Sequence, residues 1–317
     1  MRNIYDLTIK ELEDYFISIN EKKFRAVQVY EALYKRRIKS FDDMTNISKE
    51  VREKLKQDFS FYKIKMLIKQ QGKNVNKYLF ELEDGNKIES VLMFHDYGTS
   101  ICVSSQVGCN MTCAFCESGR LKKVRNLLAY EIVQQILQIE EDINKRITHV
   151  VLMGIGEPFD NYDNVLRFVK IINCGKGIDI GSRHITISTC GVIPGIKKFM
   201  NEEGQVNLAI SLHAPNNALR SRIMPINKAY PLNELMETIK EYINKTNRRV
   251  TFEYIMLDNV NDSEENAKEL AILLKGINCY VNLIPYNETE NIEFKRTKEW
   301  KIMKFYDILK KNKINVT

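Results

Sequence analysis

The sequence predicts an α/β fold. Six strand-then-helix units should form a parallel sheet, curved into a partial barrel or open and doubly wound, preceded by a helical stretch and a β-hairpin. Three observations carry this. From residue 100 onward, strand-like and helix-like stretches alternate six times. The strand stretches are nearly all apolar, as strands buried on both faces are. The polar and glycine-rich residues fall at their carboxyl ends, where parallel α/β folds place their chemistry.

Residues 1–60 read as helices, because Leu12 and Phe16, then Phe24, Val27, Val29, Leu33 and Tyr34, then Val51, Leu55 and Phe59 recur near helical spacing. Asn46 or Ser48 suits the cap of the third helix. Residues 61–98 change to strands: 77–82 and 87–94 flank Glu83-Asp84-Gly85-Asn86, in which Asp-Gly is a strong hairpin signal. In residues 99–317 the strands expected are 100–105, 149–154, 184–190, 206–213, 250–257 and 280–286. Helices are expected over 128–144, 162–172, 193–202, 232–245, 264–275 and 298–312.

After the first of those strands comes Gly108-Cys109-Asn110-Met111-Thr112-Cys113-Ala114-Phe115-Cys116. Three cysteines at this spacing offer three soft thiolates on one loop, a set that suits an iron–sulfur cluster or zinc. A structural zinc closes its tetrahedron with a fourth ligand, so three close thiolates suggest a metal corner left open. A zinc site completed by Cys102 or His213 is the alternative on spacing alone. The other strand ends carry Gly154-Ile155-Gly156-Glu157-Pro158, Ser188-Thr189, Ser211-Leu212-His213 and Asn287. Taken singly, the glycine pair could be a tight turn, Glu157 a helix-start carboxylate, Ser188 a cap and His213 a core histidine. As a shared rim beside a metal loop they suit a small polar ligand.

Composition supports a globular protein: 317 residues, 44% hydrophobic and 28% charged. No apolar run approaches a membrane span, and the N-terminus lacks an apolar signal core, so the expectation is a cytoplasmic protein. Seven cysteines without a secretory pattern fit a reducing compartment. The net charge of +7 is modest but clustered. Lys22, Lys23, Arg25, Lys35, Arg36, Arg37 and Lys39 form one group, and Arg120, Lys122, Lys123 and Arg125 follow the cysteine loop. A basic rim beside a reactive centre suits a nucleic acid, although lysine-rich helices are often only solvated faces.

The cysteine spacing resembles the signature of radical S-adenosylmethionine (SAM) enzymes. More closely, Cys102-Val103-Ser104-Ser105-Gln106-Val107-Gly108-Cys109, Met153-Gly154-Ile155-Gly156-Glu157-Pro158, Ser188-Thr189-Cys190-Gly191, Ser211-Leu212-His213-Ala214-Pro215-Asn216, Met224-Pro225-Ile226-Asn227 and Asn282-Leu283-Ile284-Pro285-Tyr286-Asn287 resemble the RlmN/Cfr family of radical SAM RNA methyltransferases. Phe24-Arg25-Ala26-Val27-Gln28 and Phe41-Asp42-Asp43-Met44-Thr45-Asn46 resemble its N-terminal RNA-binding helical domain.

The resemblance implies a radical SAM partial (β/α)6 barrel and two cofactors, a [4Fe-4S] cluster and SAM. It gives Cys109, Cys113 and Cys116 as cluster ligands. Gly156, Glu157, Ser188, Ser211, Leu212, His213 and Asn287 become SAM contacts, with Glu89 the proton acceptor and Cys102 the resolving cysteine. For Glu89 the plain alternative is a solvated hairpin carboxylate, and for Cys102 a small apolar filler. The implied reaction methylates C2 of an adenine in 23S rRNA and of an adenine beside the tRNA anticodon. It runs by way of a methylated cysteine, with flavodoxin or ferredoxin as electron donor and the enzyme a monomer. The Cfr branch, acting at C8 of the rRNA adenine, and a non-catalytic cluster-containing RNA-binding protein are the alternatives.

One departure stands out. In the family the methyl-carrying cysteine lies in a loop resembling Asp-Ile-x-Ala-Ala-Cys-Gly-Gln-Leu, past a short strand that here corresponds to Asn315-Val316-Thr317. Cys174, Cys190 and Cys279 do not match that loop, and Cys190 is the one substitute to consider. The expectation is a shortened methyltransferase that retains its cluster and SAM rim without turnover.

Overall fold

A computed structural model describes residues 1–202 and 204–317. The chain divides into two compact units, Met1–Val107 with Arg125–Ile155 and Asn161–Ile185, and Gly108–Val124 with Gly156–Asp160 and Thr186–Thr317.

The first unit begins with three helices, α1 (Ile9–Ser18), α2 (Arg25–Tyr34) and α3 (Lys49–Asp58). Thr8 and Glu11 form a capping box on α1, and the Ser48 hydroxyl accepts the Val51 N–H to cap α3. Leu12, Phe16, Val29, Leu33, Tyr34, Val51 and Leu55 are buried, as their spacing predicts. Phe24 departs from that pattern. It precedes α2, is about half exposed, and lies under the Arg25 guanidinium 5.1 Å from its ring centroid.

Four antiparallel strands follow: β1 (Lys65–Gln71), β2 (Val75–Glu81), β3 (Lys87–His95) and β4 (Gly98–Cys102). The hairpin turn has Gly85 at φ +81°, as Asp-Gly predicts. Strand β1 has no counterpart in the sequence reading. Its Lys-Met-Leu-Ile-Lys-Gln-Gln run is largely exposed and its register shifts between Met66 and Ile68, so no alternation marks it. Strand β5 (His149–Leu152) pairs parallel to β4, and helices α4 (Ala129–Ile143) and α5 (Tyr162–Ile172) complete the unit. Strand β4 ends earlier than 105 because Ser104 turns to side-chain partners. Its N–H donates to Gln135 Oε1 (2.9 Å), its hydroxyl to the Glu89 carbonyl (2.6 Å), and its carbonyl accepts Gln135 Nε2 (3.0 Å).

The second unit contains parallel strands β6 (Ile185–Thr189, from Thr186), β7 (Asn207–Ser211), β8 (Val250–Met256), β9 (Cys279–Pro285) and β10 (Asn315–Val316), paired in that order. Their helices are α6 (Ile193–Phe199), α7 (Asn217–Ile223), α8 (Leu232–Thr246), α9 (Glu264–Leu273) and α10 (Glu299–Lys311). Leu208, Ile210, Phe252, Tyr254 and Val281 are fully or almost fully buried, which explains the near-continuous apolar runs. Helix α6 stops three residues before 202, ahead of Gly204 at φ +131°. Helix α7 is absent from the sequence reading because its seven residues hold only one apolar pair at helical spacing, Leu219 and Ile223. Asn216 caps it by accepting the Leu219 N–H at 2.9 Å.

Candidate active site

The cysteine loop is closed by backbone contacts. Gly108 has φ +70°, and a Cβ there would lie 2.1 Å from the Lys122 carbonyl oxygen, so only glycine lets the two limbs approach. The Cys109 N–H then donates to the Leu121 carbonyl (3.0 Å) and the Cys116 N–H to Cys113 (3.1 Å). Thr112 turns the chain at φ +49°. Ala114 N–H donates to the Ile223 carbonyl at the end of α7 (2.9 Å), anchoring the loop.

All seven cysteines are free thiols. Cys109, Cys113 and Cys116 lie close enough to feel one another's charge. Burial pushes the Cys113 thiol up to about 12, helped by Cys116 and Cys109, and also raises Cys109. Thiols held protonated this way become ligands when a metal takes the proton's place. A cluster spreads its thiolates over separate iron corners, so the donor set fits one.

Around the loop stand the strand ends. Glu157 follows Gly156, which has φ +109°. The Glu157 carboxylate is buried and accepts the Cys190 N–H at 2.8 Å and the Phe159 N–H at 3.0 Å. Burial raises its pKa while these hydrogen bonds pull it back. Ser188 pairs in register with Ala209, and Ser211 lies two residues beyond Ala209, so both serines face the same side of the sheet. The N–H groups of Leu212 and His213 both point to the Glu253 carbonyl, at 3.0 and 3.3 Å.

His213 takes a left-handed φ of +58° and its carbonyl accepts Asn261 Nδ2 at 2.8 Å. Its Nδ1 accepts the Ile255 N–H at 3.0 Å, so the neutral ring carries its proton on Nε2. Burial, then Arg220, pushes its pKa down to about 3. The Phe115 ring of the cysteine loop meets the imidazole edge to face at 4.9 Å. Asn287 is exposed just past β9.

Glu89 and Cys102 belong to the first unit. Val91 pairs with Cys102, and Glu89 is two residues from Val91, so the two side chains share a face of neighbouring strands β3 and β4. Lys77 Nζ pairs with the half-exposed Glu89 carboxylate at 2.7 Å. Burial pushes the Cys102 thiol up to about 11.

The basic rim is thinner than its sequence suggests. Arg125 binds Asp84 (2.6 Å) and, with both terminal nitrogens, Glu131 (2.8 Å each). Lys123 faces Asp160 at 3.8 Å, and Arg120 donates to the Asn291 carbonyl and approaches Glu117 at 3.6 Å. Lys122 is exposed. In the N-terminal group, Lys23, Arg25 and Lys35 pair with Glu13, Glu21 and Glu31, and Arg37 with Glu140.

Two buried charges were not singled out from sequence. Arg220, on α7, is enclosed by backbone carbonyls. Glu253 sits in register between Ser211 and Asn282, accepts Asn282 Nδ2 at 2.8 Å, and has its pKa raised by burial. A charge inside Val-Thr-Phe-Glu-Tyr-Ile-Met was a readable signal; one in a short polar helix was not.

Comparison with known proteins shows the family. The profile of the ribosomal RNA large subunit methyltransferase N-terminal domain matches residues 2–60, and that of the radical SAM superfamily matches residues 103–271. A probable dual-specificity RNA methyltransferase RlmN from Spiroplasma citri is 53% identical over 319 residues, covering 99% of this chain and 92% of its own. A protein of the same description from Streptococcus thermophilus is 55% identical over 322 residues, covering 99% and 83%. The crystal structure of a radical SAM methyltransferase from Sphaerobacter thermophilus superposes with a TM-score of 0.94 at 40% identity, covering 100% of this chain and 94% of its own. On this full-length likeness the chain belongs to the RlmN family of radical SAM RNA methyltransferases, transferases that use a [4Fe-4S] cluster and SAM.

Proposed function

We propose that the family activity takes a specific form here: methylation of C2 of an adenine in 23S rRNA and of an adenine beside the tRNA anticodon, in the cytoplasm, with a small electron carrier such as flavodoxin or ferredoxin as reductant. The observation that carries the reading is the loop of three free thiols close enough to feel one another's charge. Cys109, Cys113 and Cys116 would hold the cluster, and together with SAM it supplies the one-electron chemistry that an unactivated aromatic carbon requires.

The chain's own residues bind and orient. Gly156 and Glu157 would receive the amino end of SAM; Ser188, Ser211 and Asn287 would hold its hydroxyl and carboxylate groups. Leu212 and His213 would form the wall, with His213 neutral because burial holds its pKa near 3. Glu89 would accept the proton leaving the ring carbon, and its pairing with Lys77 orients the carboxylate. Cys102 would release the product by attacking the sulfur of the methyl-carrying cysteine, with the raised thiol pKa limiting the attack until the proton is removed. None of Cys174, Cys190 and Cys279 is proposed as carrier.

Anaerobic reconstitution with iron and sulfide is the test. The expected result is a brown protein that reductively cleaves SAM and methylates C2 of its RNA adenine. A colourless protein that takes only zinc sinks the reading. Nuclease mapping that finds the methyl at C8 replaces the C2 assignment.

A further inference from the structure

Arg220 stands out among the buried groups for which the mechanism gives no task. Its side chain is 0% exposed. Nε donates to the Leu212 carbonyl at 3.2 Å, Nη2 to the carbonyls of Cys190 at 2.6 Å and Ser211 at 3.2 Å, and Nη1 to Asn227 Oδ1 at 3.0 Å. Every one of these acceptors is neutral. The ionisable groups whose charge reaches the guanidinium are the thiols of Cys190 and Cys113, and burial without an anion pulls it down to about 10.

A buried cation without a counter-anion is costly, and hydrogen bonds to carbonyls offset only part of that. Among its neighbours, the groups able to become the counter-anion are the thiols of Cys190 and Cys113. Cys113 is the one among them that the cysteine loop commits to metal. The placement is rigid: the Ala114 N–H binds the Ile223 carbonyl three residues along from Arg220 on α7, and Phe115 packs on His213.

We propose that Arg220 is the fixed counter-cation of the cysteine-loop thiolates and that its charge holds the reduction potential of the cluster they carry above the value the thiolates alone would give. The inference rests on the cysteine loop being the cluster site. A fixed positive charge favours the more negative, reduced state of the cluster, and net charge and buried environment set such potentials. Arg220 acts through the cluster and is a positioning residue. The guanidinium also gathers the carbonyls of Cys190, Ser211 and Leu212, so one group ties the strand ends to the charge.

The test compares two variants of the full chain, reconstituted anaerobically and titrated for midpoint potential by electron paramagnetic resonance. Arg220→Lys keeps the charge but cannot span all four acceptors; Arg220→Met keeps bulk and removes the charge. The expected result is a potential near wild type for Lys and a clear negative shift for Met, while both lower the melting temperature. A Met potential equal to wild type, or a Lys potential displaced as far as Met, overturns the proposal in favour of a purely structural arginine. Should Met not accept iron, Arg220→Gln takes its place. Iron uptake kept by Lys and lost in both neutral variants supports the proposal, whereas loss in all three overturns it. Wild-type protein that takes up no iron would instead sink the cluster reading itself.

Discussion

The first unit and three groups of the second, Glu157, Arg220 and Glu253, hold buried and half-buried charge differently, although Lys301 of the second unit pairs with Asp258 and Asp262. In the first, cations have carboxylates beside them: Arg125 between Asp84 and Glu131, Arg167 on Glu11, Arg37 on Glu140. Glu11 shows the effect, since hydrogen bonds from Arg167, Thr8 and Arg2 override the opposing effect of burial and bring it down to about 2. In the second unit Arg220 and Glu253 are buried with neutral partners, and Glu157 is held by backbone N–H groups. Balanced charge stabilises a scaffold, and unbalanced buried charge marks a place that awaits a ligand. Sequence composition cannot distinguish the two, because both kinds of residue look alike before their neighbours are known.

The largest test of that contrast is Cys113→Ala. It is expected to abolish cluster assembly and SAM cleavage while leaving the first unit folded, measured by iron content and by circular dichroism. A variant that still holds a full complement of iron breaks the comparison.

Next comes Arg125→Met, which leaves the buried Glu131 without its cation. A fully buried pair would lose about 3–5 kcal/mol, and partial exposure of Arg125 reduces this to roughly 2 kcal/mol. Denaturant titration measures it, and the cluster potential should stay put. A shift in potential would mean that the scaffold and the site share their electrostatics.

A third test uses pH. His213 has a folded pKa of about 3, below the ordinary value of about 6.5 in the unfolded chain. Above pH ~6.5 neither state is protonated there and nothing is lost. As pH falls from about 6.5 towards 3, the unfolded chain takes the proton first, so this group removes about 1.4 kcal/mol of stability per pH unit. His213→Gln should flatten that part of the stability profile of the apo protein. An unchanged slope in the variant assigns the acid lability elsewhere.

Smaller effects belong to the first unit. Ser48→Ala removes the α3 cap and should cost about 1 kcal/mol. Lys35→Ala breaks an exposed pair with Glu31 and should change stability by no more than about 0.5 kcal/mol. Thermal melts resolve the first and should barely register the second. A Lys35 effect as large as that of Ser48 would show that the surface pairs act as a network.

The cysteine loop, the glycine-glutamate turn and the main strands of the second unit were legible because each depends on local chemistry: three thiolates in eight residues, a glycine pair at a strand end, apolar runs buried on both faces. Strand β1 was hidden because an exposed edge needs no hydrophobic alternation. Helix α7 was hidden because its seven residues are too few for a period and gain their order from the cap at Asn216 and from burial of Arg220 and Ile223. The basic rim read from Arg120, Lys122, Lys123 and Arg125 was overcounted, since Arg125 turns inward to Glu131.

By itself the sequence determined which elements form and which thiols can take metal, because hydrophobic period and ligand spacing are properties of neighbours along the chain. Only the tertiary structure decided which charges are neutralised and which are left waiting. Whether Arg220 meets carbonyls or carboxylates, and whether His213 stays neutral, depends on groups brought from distant strands into a space that water has left.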